Sequence, residues 1–495
     1  MRGPSSSHTA GAHRIGLIVR DLADGEPSRA LVTFDPEGSM APTWRALGVE
    51  LAFTSGIMGW TMLDERYAAS VDRARRAGVT VEFGLAPLEH TDHPNGMLIE
   101  VVSRGGRRLR VVAEAVGGGG IRIVRVDGWP VDLDGKSHVM LVESAAAGAA
   151  VVADLVSDAD RCERNGSVLF SKTSAEPPDP GLALGVGGVA GVAGVRTAAP
   201  VFHVRRGRAL FDSGDGMVAV AEERGCSLGE IALAYETELL GLTGDETVQE
   251  MLRRFEVMER SQAAGLEDHR SDMLLLHPTA SKILGAERGG AVAVGGIHTR
   301  AAARALAVMH HCNSRGVVCA APTGGSAGTL PGVVTSLVEE LGLSREQTAH
   351  VLFAASAVGL IVAGRATFAA EIAGCQVEIG VAGAMAAAAV VEAVGGSPRQ
   401  AADAAAVSLQ NTIGSPCDPV AGACEIPCHT RNAVAASSAF TCADLVLGGW
   451  ANPIPLDQAI DASYEVGKAL PAELRWTARG GCAATPAAQS MRRLR

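Results

Sequence analysis

Lysine is nearly absent from this chain. Only four lysines occur among 495 residues, and arginine carries almost all of the positive charge. The basic residues are scattered rather than striped and the net charge is −11, which argues against a nucleic-acid partner. Scarce lysine also limits Schiff-base chemistry. An alternative is a pyridoxal-phosphate dehydratase, in which a lysine forms the Schiff base. Only Lys172 and Lys282 are in sequence settings that suit this role, and neither lies near a convincing phosphate-binding loop.

Long hydrophobic runs are missing too. The longest charge-free apolar stretch, residues 351–364, is too short to span a bilayer and predicts a buried helix. No basic-then-apolar signal peptide opens the chain, so we expect a cytoplasmic protein without a membrane partner. No internal repeat is evident. In the reducing cytoplasm the ten cysteines predict metal-binding or catalytic thiols rather than disulfides.

The length predicts more than one domain. Residues 1–135 alternate helical patterns with short β-branched runs, which indicates an α/β domain. A strand at 138–144 follows, and then a Gly/Pro-rich stretch, 176–200, whose composition predicts no regular element and places the main domain boundary there. Beyond it, three-to-four periodicity and alanine-rich helices that are apolar on every face predict a helical bundle with a buried centre.

The cysteines are unevenly placed. Cys417, Cys424 and Cys428 lie within twelve residues, and a proline directly precedes both Cys417 and Cys428. Proline breaks a helix and lets a turn direct a thiol inward, an arrangement typical of metal or cluster sites. The alternative, that these thiols are small packing hydrophobes, stays open. A further segment, AGCQVEIG, contains Cys375. Cys375, Cys417 and Cys428 make a set of three, and three such cysteines without a fourth favour a site with an open coordination position.

Six segments of the chain carry a recognisable pattern in a fixed order. They are GPSSSHTAG, DHPNG, APTGGSAGTLPG, GCQVEIGVAGAMAAAA, CDPVAGACEIPC followed one residue later by TRNA, and ARGGCAATP. This pattern resembles the iron–sulfur L-serine dehydratases, or L-serine ammonia-lyases. The likeness runs from Gly3 to about Pro486 and is weakest at about 130–205.

The resemblance implies an α+β multidomain fold and a homodimer. Its three parts are 1–135, an α/β substrate-binding domain like the serine dehydratase beta chain; 136–200, an ACT-like segment and linker; and 201–495, an all-α cluster domain. It further implies a [4Fe–4S] cluster held by Cys375, Cys417 and Cys428, with the fourth iron open to substrate. The implied reaction is β-elimination of a β-hydroxy amino acid to a 2-oxo acid and ammonia. The open iron is the expected Lewis acid, and a base must face Cα.

The hydroxyl-rich N-terminal motif suits the substrate carboxylate. Serines just before a helix add donors to unpaired N–H groups at a positive helix end, although a single serine would suffice as a plain N-cap. The glycine-rich loop at 321–328 predicts a close approach of backbone to ligand, and a plain turn is the alternative. The predicted substrate-binding residues are Ser5, Ser6, Ser7, His8, Thr9, Asn95, Thr323, Ser326, Arg431 and Asn432.

The chain departs from the family pattern where a base is expected. A histidine of a Gly-His-x-Thr-Asp segment is replaced by Leu47, which cannot move a proton. The candidate substitutes are His93, His310 and His311, each of which could equally be a structural histidine. Two further hypotheses therefore stay open: a lyase acting on another β-substituted amino acid, and a non-catalytic cluster-bearing sensor.

Overall fold

The computed structural model describes residues 1–267 and 272–494, which divide into two compact units. The helical unit combines Met1–Ser7 with Gly207–Arg495, and the α/β unit is His8–Arg206. The predicted mixed α/β multidomain fold with a helical C-terminal region is thereby confirmed. The N-terminal heptapeptide, however, groups with residues more than 200 positions away, which local patterning does not indicate.

The α/β unit begins with a six-stranded sheet. The strands follow the order β2-β1-β3-β4-β5-β6, and only the pair β1–β2 is parallel. Buried residues alternate with more exposed ones along much of β3 and β5, as expected for a sheet with one covered face. The strand bounds are β1 Pro27–Phe34, β2 Thr80–Leu85, β3 Gly96–Ser103, β4 Arg108–Gly117, β5 Gly120–Val126 and β6 Trp129–Leu133.

Helices accompany this sheet. A π-helical turn, Ser6–Gly11, runs directly into α1, Ala12–Leu22, and two further helices lie between residues 40 and 57. Gly16 on α1 and Gly56 let backbones come close, because a Cβ at Gly56 would lie 2.1 Å from the His13 carbonyl oxygen. The remaining helices are α2 Met40–Thr43, α3 Val49–Ile57 and α4 Ser70–Arg76, with a 3₁₀ turn at Glu65–Ala69.

A second, four-stranded antiparallel sheet follows in the same unit, in the order β10-β7-β9-β8. The chain order is β-α-β-β-α-β, the ferredoxin-like pattern. Its core is aliphatic, with Met140, Val142 and Phe170 at the centre. The elements are β7 His138–Ala145, α5 Ala146–Leu155, β8 Asp160–Arg164, β9 Ser167–Ser174, α6 Pro180–Gly187 and β10 Val192–Ala198.

The prediction that 176–200 holds no regular element is wrong. Asp179 caps α6 by accepting a hydrogen bond from the Gly181 N–H at 2.8 Å, and Pro180 occupies the first turn, where its missing N–H costs nothing. The strand β10 pairs with β7 along its length. Capping and strand pairing thus override a composition rich in glycine and proline.

The helical unit has one extended apolar core. Every residue from Ile379 to Val391 of α15 is buried, and α13, α16 and α17 pack around it. The helices are α7 Gly214–Arg224, α8 Leu228–Leu240, α9 Gly244–Leu266, α10 Ala280–Arg288, α11 Ile297–Asn313, α12 Thr329–Leu341, α13 Arg345–Arg365, α14 Ala370–Ala373, α15 Ile379–Ala393, α16 Pro398–Gln410, α17 Cys428–Leu447, α18 Leu456–Ala469 and α19 Pro486–Ser490.

Among the described residues of this unit, two segments are long and apolar enough to cross a membrane. They are Arg345–Arg365 and Cys375–Ala393. In the protein 67% of the first apolar window and 94% of the second are buried. Their apolar surfaces are therefore used for packing in the helical core, which agrees with the prediction of a buried helix at 351–364.

Candidate active site

Three buried cysteines of the helical unit lie where regular elements begin or break. Cys375 opens the 3₁₀ turn Cys375–Val377 that precedes α15, and Cys428 is the first residue of α17. Cys417 lies in an extended segment between α16 and α17. All three are buried, as the proline-flanked turns predict for Cys417 and Cys428. Their thiols are thus held in the interior by turns at helix ends.

Backbone hydrogen bonds hold two of these turns together. The Cys375 N–H donates to the Ser415 carbonyl at 2.9 Å. The Cys417 N–H donates to the Leu474 carbonyl at 2.8 Å, and the Cys417 carbonyl accepts from the Trp476 N–H at 2.7 Å. Three chain segments far apart in sequence therefore fix the positions of the two thiols before any ligand is bound.

A guanidinium group stabilises negative charge at the cysteines. Arg431, one turn into α17, donates from Nη1 to the Pro416 carbonyl at 2.7 Å and pairs with Asp418 at 3.0 Å. A hydrogen bond from the Cys417 thiol, helped by the Arg431 charge and opposed by burial, lowers the pKa of Cys375 to about 7. Burial and the same hydrogen bond raise the pKa of Cys417. The site therefore favours one thiolate even without metal.

Glu378 belongs to this site, although sequence reasoning overlooked it. The ligand atoms of Cys375, Glu378 and Cys417 lie within 4.8 Å of one another. Burial and the negative charge of Cys375 raise the pKa of Glu378 well above its usual range. Cys428 lies outside this closest set of ligand atoms, but its charge acts on Cys417 and Arg431. Buried thiols beside a cation are the donor set that suits an iron–sulfur cluster, so the residues fit one.

Cys424 is a second omission. It is buried, and its thiol is hydrogen-bonded to that of Cys428. The sequence analysis counted Cys424 with its neighbours but assigned it no role. The available signal was its position four residues before Cys428 in the same short loop. For Glu378 the signal was its position three residues after Cys375.

The glycine-rich loop lies against the cysteine site. The Thr323 and Ser326 hydroxyl oxygens are 3.0 Å apart, and the Ser326 N–H donates to Thr323 Oγ1 at 3.2 Å. Thr323 is also hydrogen-bonded to Glu378. Both hydroxyls are fully buried. The loop therefore presents polar groups to the cysteine site and holds them by its own hydrogen bonds.

Asn432 joins this loop to the helix that begins at Cys428. Its side-chain oxygen accepts from the N–H groups of Gly328 and Thr329, each at 3.1 Å. Its amide nitrogen donates to the carbonyls of Gly325 at 2.8 Å and Cys428 at 2.9 Å. The side-chain amide is thus hydrogen-bonded to backbone groups. Asn432 therefore supports the loop rather than contacting a substrate.

The N-terminal serines lie beside the same loop. A Cβ at Gly324 would lie 3.0 Å from both the Pro4 carbonyl oxygen and the Ser6 nitrogen. Ser5 and Ser7 are buried with their hydroxyl oxygens 3.5 Å apart. The buried Ser6 hydroxyl has no hydrogen-bond partner among residues 1–267 and 272–494. A buried donor in this state suits a bound polar ligand.

The other half of the N-terminal motif contributes to the α/β unit. His8 Nε2 is 3.0 Å from the Ser39 hydroxyl, and the Ser39 N–H donates to the Pro94 carbonyl at 2.9 Å. Complete burial lowers the pKa of His8 to about 3, which keeps the ring neutral. The Thr9 hydroxyl donates to the Leu47 carbonyl at 2.9 Å. Leu47 itself is fully buried, so this position serves packing.

His93 and Asn95 form a tight turn in the same unit. The Asn95 N–H donates to His93 Nδ1 at 3.1 Å, and the Asn95 amide donates to the Ala115 carbonyl at 3.3 Å. Burial lowers the pKa of His93, and the Glu114 charge opposes the shift. Because Nδ1 accepts a backbone hydrogen bond, the neutral ring carries its proton on Nε2.

The adjacent histidines of α11 have different surroundings. His310 is buried with its ring centroid 5.4 Å from that of His429, the residue after Cys428. His429 Nε2 accepts from the Asn313 amide at 3.0 Å, and burial lowers the pKa of His429 to about 3. A Cβ at Gly316 would lie 2.2 Å from the His311 ring, so that ring covers the turn at Gly316. Of the two, His310 therefore adjoins the start of α17.

The lysines that a pyridoxal-phosphate mechanism would need are poorly placed. Lys172 is paired with Asp158 at 3.5 Å, and Lys282 is exposed on α10. Neither is in the buried setting that activates a Schiff-base lysine. This arrangement disfavours the pyridoxal alternative.

The fold and site define an enzyme that places buried thiols beside a hydroxyl-rich loop. Sequence similarity to known proteins identifies its family. The family model described as serine dehydratase alpha chain matches residues 223–483. A probable L-serine dehydratase alpha chain of Bacillus subtilis is 38% identical over 57% of this chain and 94% of its own length. The L-serine dehydratase alpha chain of Peptoniphilus asaccharolyticus is 32% identical over 57% and 98%, and the L-serine dehydratase of Streptomyces coelicolor is 32% identical over 55% and 60%. The chain belongs to the serine dehydratase family and is an ammonia-lyase.

Proposed function

We propose that this protein is a [4Fe–4S]-dependent ammonia-lyase that converts L-serine, or a close β-hydroxy amino acid, to a 2-oxo acid and ammonia. One observation carries the proposal: buried thiols converge beside Arg431 and Glu378, next to a loop and an N-terminal segment rich in hydroxyls. The named relatives support serine as the substrate. The cytoplasmic location and the homodimer expected from the sequence belong to this proposal as well.

Cys375, Cys417 and Cys428 would hold the cluster. The bound cluster supplies a Lewis acid for the departing hydroxyl group. Arg431 offsets negative charge at the thiolates, because it acts on all three of these cysteines and is fixed by the Pro416 carbonyl. We assign Arg431 to this charge balance rather than to direct contact with the substrate.

The substrate carboxylate would be held by the N-terminal serines and the glycine-rich loop. Ser6 offers a buried hydroxyl without a hydrogen-bond partner in the described ranges, and Ser5 and Ser7 lie beside it. Thr323 and Ser326 add further hydroxyls on the adjoining loop. Buried donors held by backbone structure orient a ligand with little loss of entropy on binding.

The Cα proton needs a base, and His310 is our first assignment. It is buried on α11 near His429 and the start of α17. His311 instead covers the Gly316 turn. His93 accepts a backbone hydrogen bond on Nδ1, so its remaining ring nitrogen is a donor in the neutral state. His310→Gln should lower kcat with KM nearly unchanged, whereas the same change at His311 should leave kcat close to wild type.

A second candidate function is elimination from another β-substituted amino acid. It is favoured by Leu47, which is fully buried where a histidine is expected. A changed base position suits a changed substrate. Ammonia release measured side by side for L-serine, L-threonine and β-thio amino acids would rank these substrates by kcat/KM.

The central test is anaerobic reconstitution with iron and sulfide. Wild type should bind both, become brown and release pyruvate and ammonia from L-serine. Cys417→Ala should lose colour and turnover together, because a ligand is removed. Cys442→Ala is the matched control, since Cys442 is buried fourteen residues beyond Cys428 on α17, about 21 Å along the helix. Intact iron content in the Cys417 variant would contradict the ligand assignment.

A further inference from the structure

Cys312, the last residue but one of α11, contacts both segments in which we place the substrate carboxylate. Its sulfur is 3.5 Å from the Gly324 carbonyl oxygen and 3.8 Å from the Pro4 carbonyl oxygen. Gly324 belongs to the glycine-rich loop, and Pro4 directly precedes the N-terminal serines. Cys312 is fully buried, so both contacts are shielded from solvent. One side chain therefore joins the N-terminal segment to the loop.

Backbone contacts bring the N-terminal segment against the end of α11. The Gly3 N–H donates to the Gly316 carbonyl at 3.0 Å, and Arg2 forms an antiparallel β-bridge with Val317. A Cβ at Gly3 would overlap both the sulfur and the carbonyl oxygen of Cys312. The segment can lie this close to the thiol because residue 3 has no side chain.

The same segment carries a buried hydroxyl that suits a ligand. Ser6 is 2% exposed, and its hydroxyl has no hydrogen-bond partner among the residues that the structure describes. Gly324, whose carbonyl faces Cys312, also lies against Ser6, since a Cβ there would be 3.0 Å from the Ser6 nitrogen. A buried hydroxyl without a partner is costly. Cys312 thus contacts the two backbone segments that fix the position of this hydroxyl.

Packing alone explains only part of this arrangement. Cys312 packs with Val308, Val318 and Ala327, as a small hydrophobic side chain would. Unlike an apolar side chain, however, a thiol can donate a hydrogen bond, and it lies between two carbonyl oxygens. A thiol is a weak donor, so we expect its loss to change the position of the serines more than the stability of the fold.

We propose that Cys312 is a positioning residue for the substrate carboxylate, and that its thiol holds residues 4–7 against the glycine-rich loop. This inference rests on the proposed function, because it takes the N-terminal serines as the carboxylate-binding groups. Cys312 acts through Ser6 and touches no reacting atom. Loss of the thiol should therefore weaken substrate binding and leave the chemical step unchanged, so KM should rise while kcat stays close to wild type.

The first experiment uses full-length protein reconstituted anaerobically as wild type, Cys312→Ala, Cys312→Ser and Cys442→Ala. Iron and sulfide contents are measured on every sample before steady-state kinetics with L-serine. Cys312→Ala should raise KM about fivefold, the change that one neutral hydrogen bond represents. Cys312→Ser keeps a donor in a side chain of similar size and should recover most of the wild-type KM. Cys442→Ala removes another buried thiol and should leave KM unchanged.

The second experiment asks whether Cys312 acts through Ser6. The dissociation constant of L-alanine, which lacks the β-hydroxyl group and cannot be dehydrated, is measured by isothermal titration calorimetry. The proteins are wild type, Cys312→Ala, Ser6→Ala and the double variant. If the thiol positions the Ser6 hydroxyl, the double variant should bind L-alanine about as weakly as Ser6→Ala alone. A residue that affects binding by an independent route would give additive losses instead.

A raised KM in Cys312→Ala, its recovery in Cys312→Ser and non-additive binding losses would together support the positioning role. An unchanged KM in Cys312→Ala, an equal rise in both Cys312 variants, or additive losses would overturn it. Iron content below wild type in Cys312→Ala would overturn it too, because the thiol would then be needed by the site as a whole. In each of these cases turnover of L-serine by wild type leaves the proposed function intact. Absence of that turnover would instead overturn the proposed function, and the inference with it.

Discussion

Removal of the Asn432 side chain tests whether the glycine-rich loop is held by the helix that carries Cys428. Asn432→Ala deletes four hydrogen bonds to backbone groups: two N–H donors of 328–329 and the carbonyls of Gly325 and Cys428. All four lie in a buried region. A neutral hydrogen bond contributes about 1 kcal/mol net, and a buried group left unpaired costs about 1–3 kcal/mol.

The expected loss is therefore about 4 kcal/mol in the free energy of unfolding, a large share of the roughly 5–15 kcal/mol that stabilises a folded domain. Equilibrium urea denaturation followed by circular dichroism should show a lower midpoint for the helical unit. Because the loop also carries Thr323, we expect substrate binding to weaken together with stability.

Asn432→Asp separates the two halves of the amide. It keeps the oxygen that accepts from 328–329 and places a second oxygen against the carbonyls of Gly325 and Cys428. We expect a loss at least as large as that of alanine, about 4 kcal/mol or more, because the oxygen that replaces the donor faces two carbonyl oxygens in a buried region. An unchanged urea midpoint for Asn432→Ala, with only KM raised, would refute this reasoning and restore Asn432 as a substrate contact.

Three further changes have defined outcomes. Glu425→Ala leaves the buried N–H of Leu275 and the half-buried N–H groups of Leu274 and Leu276 without their carboxylate acceptor. The free energy of unfolding should fall by about 3 kcal/mol, seen as a lower urea midpoint. Gly324→Ala places a Cβ 3.0 Å from the Ser6 nitrogen, so KM for L-serine should rise several-fold in steady-state assays while iron content stays normal. His8 has its pKa lowered from 6.5 to about 3 in the folded state. The contribution of neutral His8 to the free energy of unfolding is complete above pH 6.5. It is lost as the pH falls toward 3, at about 1.4 kcal/mol per pH unit, because the unfolded chain takes up the proton first. His8→Asn should make the thermal unfolding midpoint depend less on pH between about pH 6.5 and about pH 4.5. The same pH dependence in the variant and in wild type would count against a neutral His8.

Local patterns accounted for much of the fold. The alternation of β-branched and helical segments over 1–135 predicted an α/β domain there, because side-chain periodicity reports which face of an element is buried. The motifs also identified Cys375, Cys417 and Cys428 as a group. Composition failed at 176–200, where the cap at Asp179 and the pairing of β10 with β7 decided the structure.

By itself the sequence determined that the chain has a helical half with an interior of alanine-rich helices, and which turns carry buried thiols. Only the tertiary structure decided that Met1–Ser7 joins the helical unit beside Gly324, and that Glu378 and Cys424 complete the cysteine site. The reason is physical. Periodicity and turn chemistry act over a few residues, whereas contacts across hundreds of residues depend on how whole helices pack and leave no local pattern.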